Sequence, residues 1–120
     1  MVRQGRVLAN LVSSQIALHA DYGGVVPELA TREHLRHLPP LIGAALRAAG
    51  IEARALDAVA ATQGPGLPNA LMVGLKAAQG LACALGRPFL GIHHHEAHLY
   101  SPWVKPDPPR ADFEAIVPHV

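Results

Sequence analysis

The chain reads as an α/β protein, with helices laid against a largely parallel sheet. Three features carry that reading. Short runs rich in Val, Ala and Leu alternate with longer stretches of helical spacing. Glycine or proline marks the turns between them. The resulting order is strand, helices, strand, helix, strand, the alternation that joins parallel strands through helical crossovers. With 120 residues, 50% of them apolar and 16% charged, there is material for one small domain with a core and not for two.

The elements follow in order. "GRVLANLVSSQ", over 5–15, is rich in Val and Leu with polar interruptions and suits a strand entered from the turn "RQG". In "DYGGVVPELATREHLRHL" a turn is expected at Gly23 and Gly24, and Pro27 sits where a helix can begin. Leu35, Leu38, Leu41, Ile42 and Leu46 keep helical spacing, but Pro39 and Pro40 lack a backbone donor and disfavour helix just before them. Two short helices are therefore expected, ending near Gly50. "LDAVAAT", over 56–62, is a short buried strand and "GPG" a turn. "NALMVGLKAAQGLACAL", over 69–85, is a helix of small residues, with Gly86 as its stop and Gly74 and Gly80 expected to let it pack tightly on the sheet. "RPFLGI" is a strand ending at Ile92, "VKPDPPRAD" an exposed proline-rich loop, and "FEAIVPHV" the start of a further element.

Composition narrows the function classes. A formal charge of +1 gives no general electrostatic case for nucleic acid, so any RNA contact needs a local patch or a partner. The single cysteine, Cys83, excludes an internal disulfide and reads as a small core residue. There is no charged-then-apolar leader and no apolar run approaching about 18 residues, so no membrane association is expected and the expected location is the cytoplasm.

Ligands of open α/β sheets gather beyond the carboxyl ends of the strands, and both "TQGPG" and "HHHEAH" fall there. Strand, glycine turn and helix point backbone donors and the positive helix end toward an anion, and Gly64 and Gly66 permit close approach. The lysine and hydroxyl of a Walker loop are missing, as is the three-glycine dinucleotide spacing, so a simple chain reversal is the favoured reading of "GPG". Lys76 is a solvated or snorkelling helix residue.

The histidines say more. In a helix starting at His94, His94 and His98 lie four apart on one face, where they either bring two imidazoles to one cation or stand as ordinary exposed or core histidines, while His95 and Glu96 point elsewhere. His93 closes the strand; Glu96 either orients a ligand ring or faces solvent. A third ligand, commonly a carboxylate, must come from elsewhere. The zinc-protease motif needs glutamate directly after the first histidine, where this chain has His95, so "HHEAH" fails that pattern. Arg32 and His34 in "TREH" could contact phosphate or substrate, but a surface helix is the favoured reading; His19, His37 and His119 form no constellation. Tyr100 and Trp103 are expected to cover an apolar edge rather than to stack on a base.

"HADYGGVVPELATREHLRHLPPLI" and "TQGPGLPNALMVGLKAAQGLACALGRPFLGIHHHEAHL" closely resemble the amino-terminal half of the TsaD/Kae/Gcp family, over about residues 6–103. Once labelled O-sialoglycoprotein endopeptidases, these proteins are understood as tRNA N6-adenosine threonylcarbamoyltransferases. The resemblance implies a partial lobe of the actin-like and sugar-kinase ATPase fold, and one divalent metal ion, iron or zinc. The implied reaction transfers a threonylcarbamoyl group from threonylcarbamoyl-AMP to N6 of adenosine 37 in tRNA. The family's paired histidines match His94 and His98, and the glycine turn with its helix would floor the same crevice. No residue is assigned as a catalytic acid or base or as a substrate contact. Implied partners are the non-catalytic paralogue and the small ATPase of the same pathway.

Departures from the family pattern are specific. An "ESSCDET"-like turn and its strand have no counterpart before residue 1, and a "SLIVSGGHT"-like loop, the second lobe and a late metal-binding aspartate have none after "FEAIVPHV". Residues 1–120 are thus expected to form a single incomplete domain. His95 stands where methionine is common, Ala97 where glycine is common, and Pro68 and Asn69 replace a pair of small residues. Two readings follow: part of a transferase active in a longer or assembled enzyme, or a non-catalytic remnant or interaction module. The chain by itself is expected to be marginally folded and to hold metal weakly, because a sheet edge and a lobe face stay open.

Overall fold

A computed structural model describes residues 1–13, 23–24 and 26–106 of the chain. Strands β1 (Val2–Arg3) and β2 (Arg6–Val7) form a hairpin with the register Val2↔Val7 and Arg3↔Arg6. Its two turn residues, Gln4 and Gly5, have φ of 50° and 77°, the pair of positive values that a type I′ turn demands. Strand β5 (Lys105–Pro106) lies parallel beside β2, with Arg6 opposite Lys105. The strand expected over 5–15 survives only as Arg6–Val7. Leu8 and Ala9 both give their N–H to the carbonyl of Met1, at 2.8 and 3.4 Å, which closes the hairpin instead of lengthening it. Residues 14–15 lie outside the described residues, as do His19, His119 and "FEAIVPHV".

Helix α1 (Pro27–Ala49) runs unbroken through Pro39 and Pro40, which corrects the expected pair of helices. Each proline removes one backbone donor, leaving the carbonyls of Leu35 and Arg36 without their usual partners. Both of those residues and both prolines are exposed, so water can serve the carbonyls. Meanwhile Leu38, Leu41, Ile42 and Leu46 keep one half-buried face, along which α1 packs on the next helix. Arg32 and His34 are exposed on α1, as the surface reading required, and His37 bonds Glu33 one turn back at 2.8 Å.

A 3-10 turn at Ala53–Ala55 follows, and Leu56 donates back to Ala53 at 3.1 Å. That turn consumes the start of the strand expected over 56–62, so β3 is Val59–Gly64. Helix α2 (Pro68–Leu85) then crosses over to β4 (Phe89–His93), which is parallel to β3 with Val59↔Phe89 through Thr62↔Ile92 in register. The pairing slips between Thr62 and Gly64, so that Gly64 faces His93. Both long helices end as the sequence indicates. Gly50 and Gly86 take φ of 66° and 64°, and the N–H groups of Gly86 and Arg87 return to Cys83 and Ala82, a Schellman ending.

The result is a layered α/β arrangement in which α2 packs between the β3/β4 pair and α1. The expected largely parallel sheet is divided into a mixed three-stranded one, β1-β2-β5, and a parallel two-stranded one, β3-β4. The core is thin: among the described residues the buried apolar set is Ala9, Ala30, Ala78 and Ala82, and no large side chain is fully buried. Cys83 is exposed rather than in the core, because the inward positions of α2 at that level belong to Ala78 and Ala82. Gly74 and Gly80 are not close-packing positions either, since a Cβ on either would meet nothing within 4 Å. Gly74 instead borders a cavity of about 220 Å³ shared with His34, His37, Leu38 and Leu41 of α1. No described helix is long and apolar enough to cross a membrane.

Candidate metal centre

The site grows from the carboxyl ends of β3 and β4, as expected for an α/β sheet. His93 ends β4, and helix α3 (His94–Tyr100) begins with the next residue. A helix of seven residues is too short to be stable by its own hydrogen bonds, so it depends on what holds its ends. At the start, His93 accepts the Glu96 N–H through Nδ1 at 3.4 Å. At the end, Ser101 Oγ donates to the His98 carbonyl at 2.9 Å, and the 3-10 turn Ser101–Trp103 carries the chain away.

Within that frame the two predicted ligands meet. His94 and His98 lie one turn apart with ring centroids 4.7 Å apart and their Nε2 atoms 3.0 Å apart. At that separation one Nε2 carries a proton and donates while the other accepts. Two imidazole nitrogens bound to one ion, each at about 2.0–2.1 Å, stand roughly 3 Å apart when they occupy adjacent corners of its coordination shell. The donor chemistry and the spacing thus fit a divalent transition metal. Both rings are exposed, so an ion has access. Among the described residues no group of three or more His, Cys, Asp or Glu gathers to complete a shell.

The neighbouring residues separate clearly from the pair. The His95 ring takes no part in the Nε2 contact and lies 5.7 Å from the ring of His93 and 5.4 Å from that of His94. The Glu96 side chain is exposed and makes no hydrogen bond or ion pair, so its solvent reading holds and the ring-orienting one does not. Tyr100 and Trp103 lie 6.5 Å apart and remain 65% and 64% exposed, as does Leu99 at 71%; they form an open apolar patch rather than a covered edge.

The glycine turn sits alongside. Gly66 folds back onto the first turn of α2, where an added Cβ would come within 3.1 Å of Leu71 Cδ1. Leu67, which precedes α2, supplies no side-chain cap, and Leu71 donates to the Leu67 carbonyl at 2.9 Å. Lys76 is exposed on α2. Two features escaped the sequence reading. The Gln63 side chain lies across Gly91 on the next strand, so a Cβ at Gly91 would fall 2.6 Å from Gln63 Cδ. His93 caps α3, and the signal for it was available: an acceptor side chain three residues before Glu96 has the spacing of a capping box.

Comparison with known proteins adds the following. The family described as TsaD, tRNA N6-adenosine threonylcarbamoyltransferase, matches residues 6–116. A tRNA N6-adenosine threonylcarbamoyltransferase of Thermus thermophilus is 54% identical over 109 residues, covering 91% of this chain and 34% of the relative. Proteins of the same name from Pelobacter propionicus and Aromatoleum aromaticum are 53% and 54% identical over 100 and 111 residues, covering 83% and 92% of this chain. The matches take in 29% and 32% of those two relatives, so the chain spans about a third of the length of the curated relatives it matches.

Proposed function

The chain belongs to the tRNA N6-adenosine threonylcarbamoyltransferase family, and from that premise we propose that it supplies the metal-binding histidine pair of such a transferase. The observation that carries the proposal is the 3.0 Å approach of His94 Nε2 and His98 Nε2 beyond the carboxyl end of β4. The substrates are threonylcarbamoyl-AMP and a tRNA, and the acceptor is N6 of adenosine 37. The reaction runs in the cytoplasm within a longer or assembled enzyme, alongside a non-catalytic paralogue and a small ATPase.

The bond changes are those of acyl transfer. The N6 amine adds to the carbamoyl carbon, the carbon–oxygen bond to the phosphate breaks, AMP leaves with that electron pair, and the amine nitrogen gives up one proton. A bound iron or zinc ion would supply positive charge to hold and polarise the adenylate. His94 and His98 would contribute the two imidazole ligands, each giving its Nε2 lone pair and keeping its proton on Nδ1.

The test is threonylcarbamoylation of a tRNA transcript by the full-length enzyme that contains this segment. The double variant His94→Ala/His98→Ala should retain the fold and lose more than about 100-fold in rate, as expected when an ion's ligands are removed. Unchanged turnover in that variant would overturn the assignment of the pair.

A further inference from the structure

We infer that His93 is a positioning residue for the His94–His98 pair, acting through the amino-terminal turn of α3; the inference rests on the reading of that pair as metal ligands. His93 is the last residue of β4, fixed opposite Gly64 by sheet pairing, and also the residue that starts α3, with φ −79° and ψ 126°. Its Nδ1 accepts the Glu96 N–H at 3.4 Å, which is the third helical N–H and the usual target of a capping side chain. In a seven-residue helix this is one of few bonds that define the first turn, and His94 lies in that turn with His98 directly after it. One rigid strand therefore sets the direction from which both ligand rings project.

The proton positions separate this role from ligation. To accept from Glu96, the His93 ring keeps a lone pair on Nδ1, so its neutral form carries the proton on Nε2. That is the reverse of the tautomer both members of the pair need to present Nε2 to an ion. The His93 ring also lies 5.7 Å from His95, whose ring in turn lies 5.4 Å from His94. His93 thus supports the pair through the helix backbone, by way of the Glu96 N–H it accepts.

The experiment uses the full-length enzyme with three variants, His93→Ala, His93→Asn and His93→Phe. Asn keeps a capping acceptor without the ring, and Phe keeps the ring without the acceptor. In the metal-free protein, Glu96 amide exchange should accelerate in the Ala and Phe variants and return toward wild type in the Asn variant. Affinity for Zn²⁺ should fall about 10- to 100-fold in Ala and Phe, the usual effect of losing a group that orients ligands, and recover in Asn. Faster exchange with unchanged Zn²⁺ affinity would overturn the positioning role, as would an Asn variant as weak as Ala. Failure of the underlying reading looks different: His94→Ala or His98→Ala would then leave Zn²⁺ affinity intact. In that event the ring-nitrogen NMR signals of His94 and His98 in the metal-free protein decide. A shift in His93→Ala that reverts in His93→Asn supports positioning, and no shift overturns it.

Discussion

His94 and His98 hold their Nε2 atoms 3.0 Å apart on successive turns of α3, close enough for a single proton to lie between them. Their neighbour His95, though adjacent in sequence, faces the rings of His93 and His94 instead. The cluster of four histidines therefore divides by geometry into a pair whose Nε2 atoms converge and two rings that flank it.

Metal titration of the full-length enzyme should resolve that division. His94→Ala and His98→Ala are each expected to weaken binding by more than about 100-fold, whereas His95→Ala should keep affinity within roughly tenfold of wild type. Calorimetric titration of the metal-free variants measures it. Equal losses from all three substitutions would remove the basis for singling out the pair.

Gly86 ends α2 with φ of 64°, and its N–H reaches the Cys83 carbonyl at 3.2 Å. A side chain is strained in that backbone conformation, so Gly86→Ala should destabilise by about 1–2 kcal/mol. Gly74→Ala, at an ordinary helical position with open space around it, should instead be neutral or stabilise by up to about 1 kcal/mol. Paired denaturant melts compare the two, and a larger loss at Gly74 would contradict the helix ending described here.

Gly91→Ala should be mild despite the near contact. The atoms that its Cβ would meet are the terminal amide of Gln63, which can swing away at a cost of under about 1 kcal/mol. The expected readout is movement of the Gln63 side-chain amide signals with little change in melting. Strong destabilisation would mean that Gln63 is held in place.

Pro40→Ala should stabilise α1. The substitution returns a backbone donor to the Arg36 carbonyl in the helix interior, worth up to about 3 kcal/mol, less about 1 kcal/mol for the freer unfolded chain. A rise in melting temperature with more helical circular dichroism is expected. A fall would show that the proline is needed to shape the helix against α2.

What the residues alone determined was local. The crossover of two parallel strands through a helix, the glycine endings at Gly50 and Gly86, and the one-turn spacing of His94 and His98 are each encoded within a few positions of one another. Steric and periodic rules act at that range, so the order of the later elements and the convergence of the two histidines were legible without coordinates. The limits of β2 and β3, the unbroken path of α1 through Pro39 and Pro40 and the exposure of Cys83 were decided elsewhere. Each depends on what lies opposite. A strand extends only as far as its partner pairs, and a helix tolerates lost hydrogen bonds when its apolar face is packed and its freed carbonyls are wet. Distances between segments far apart in sequence carry that information, and only the folded chain supplies them.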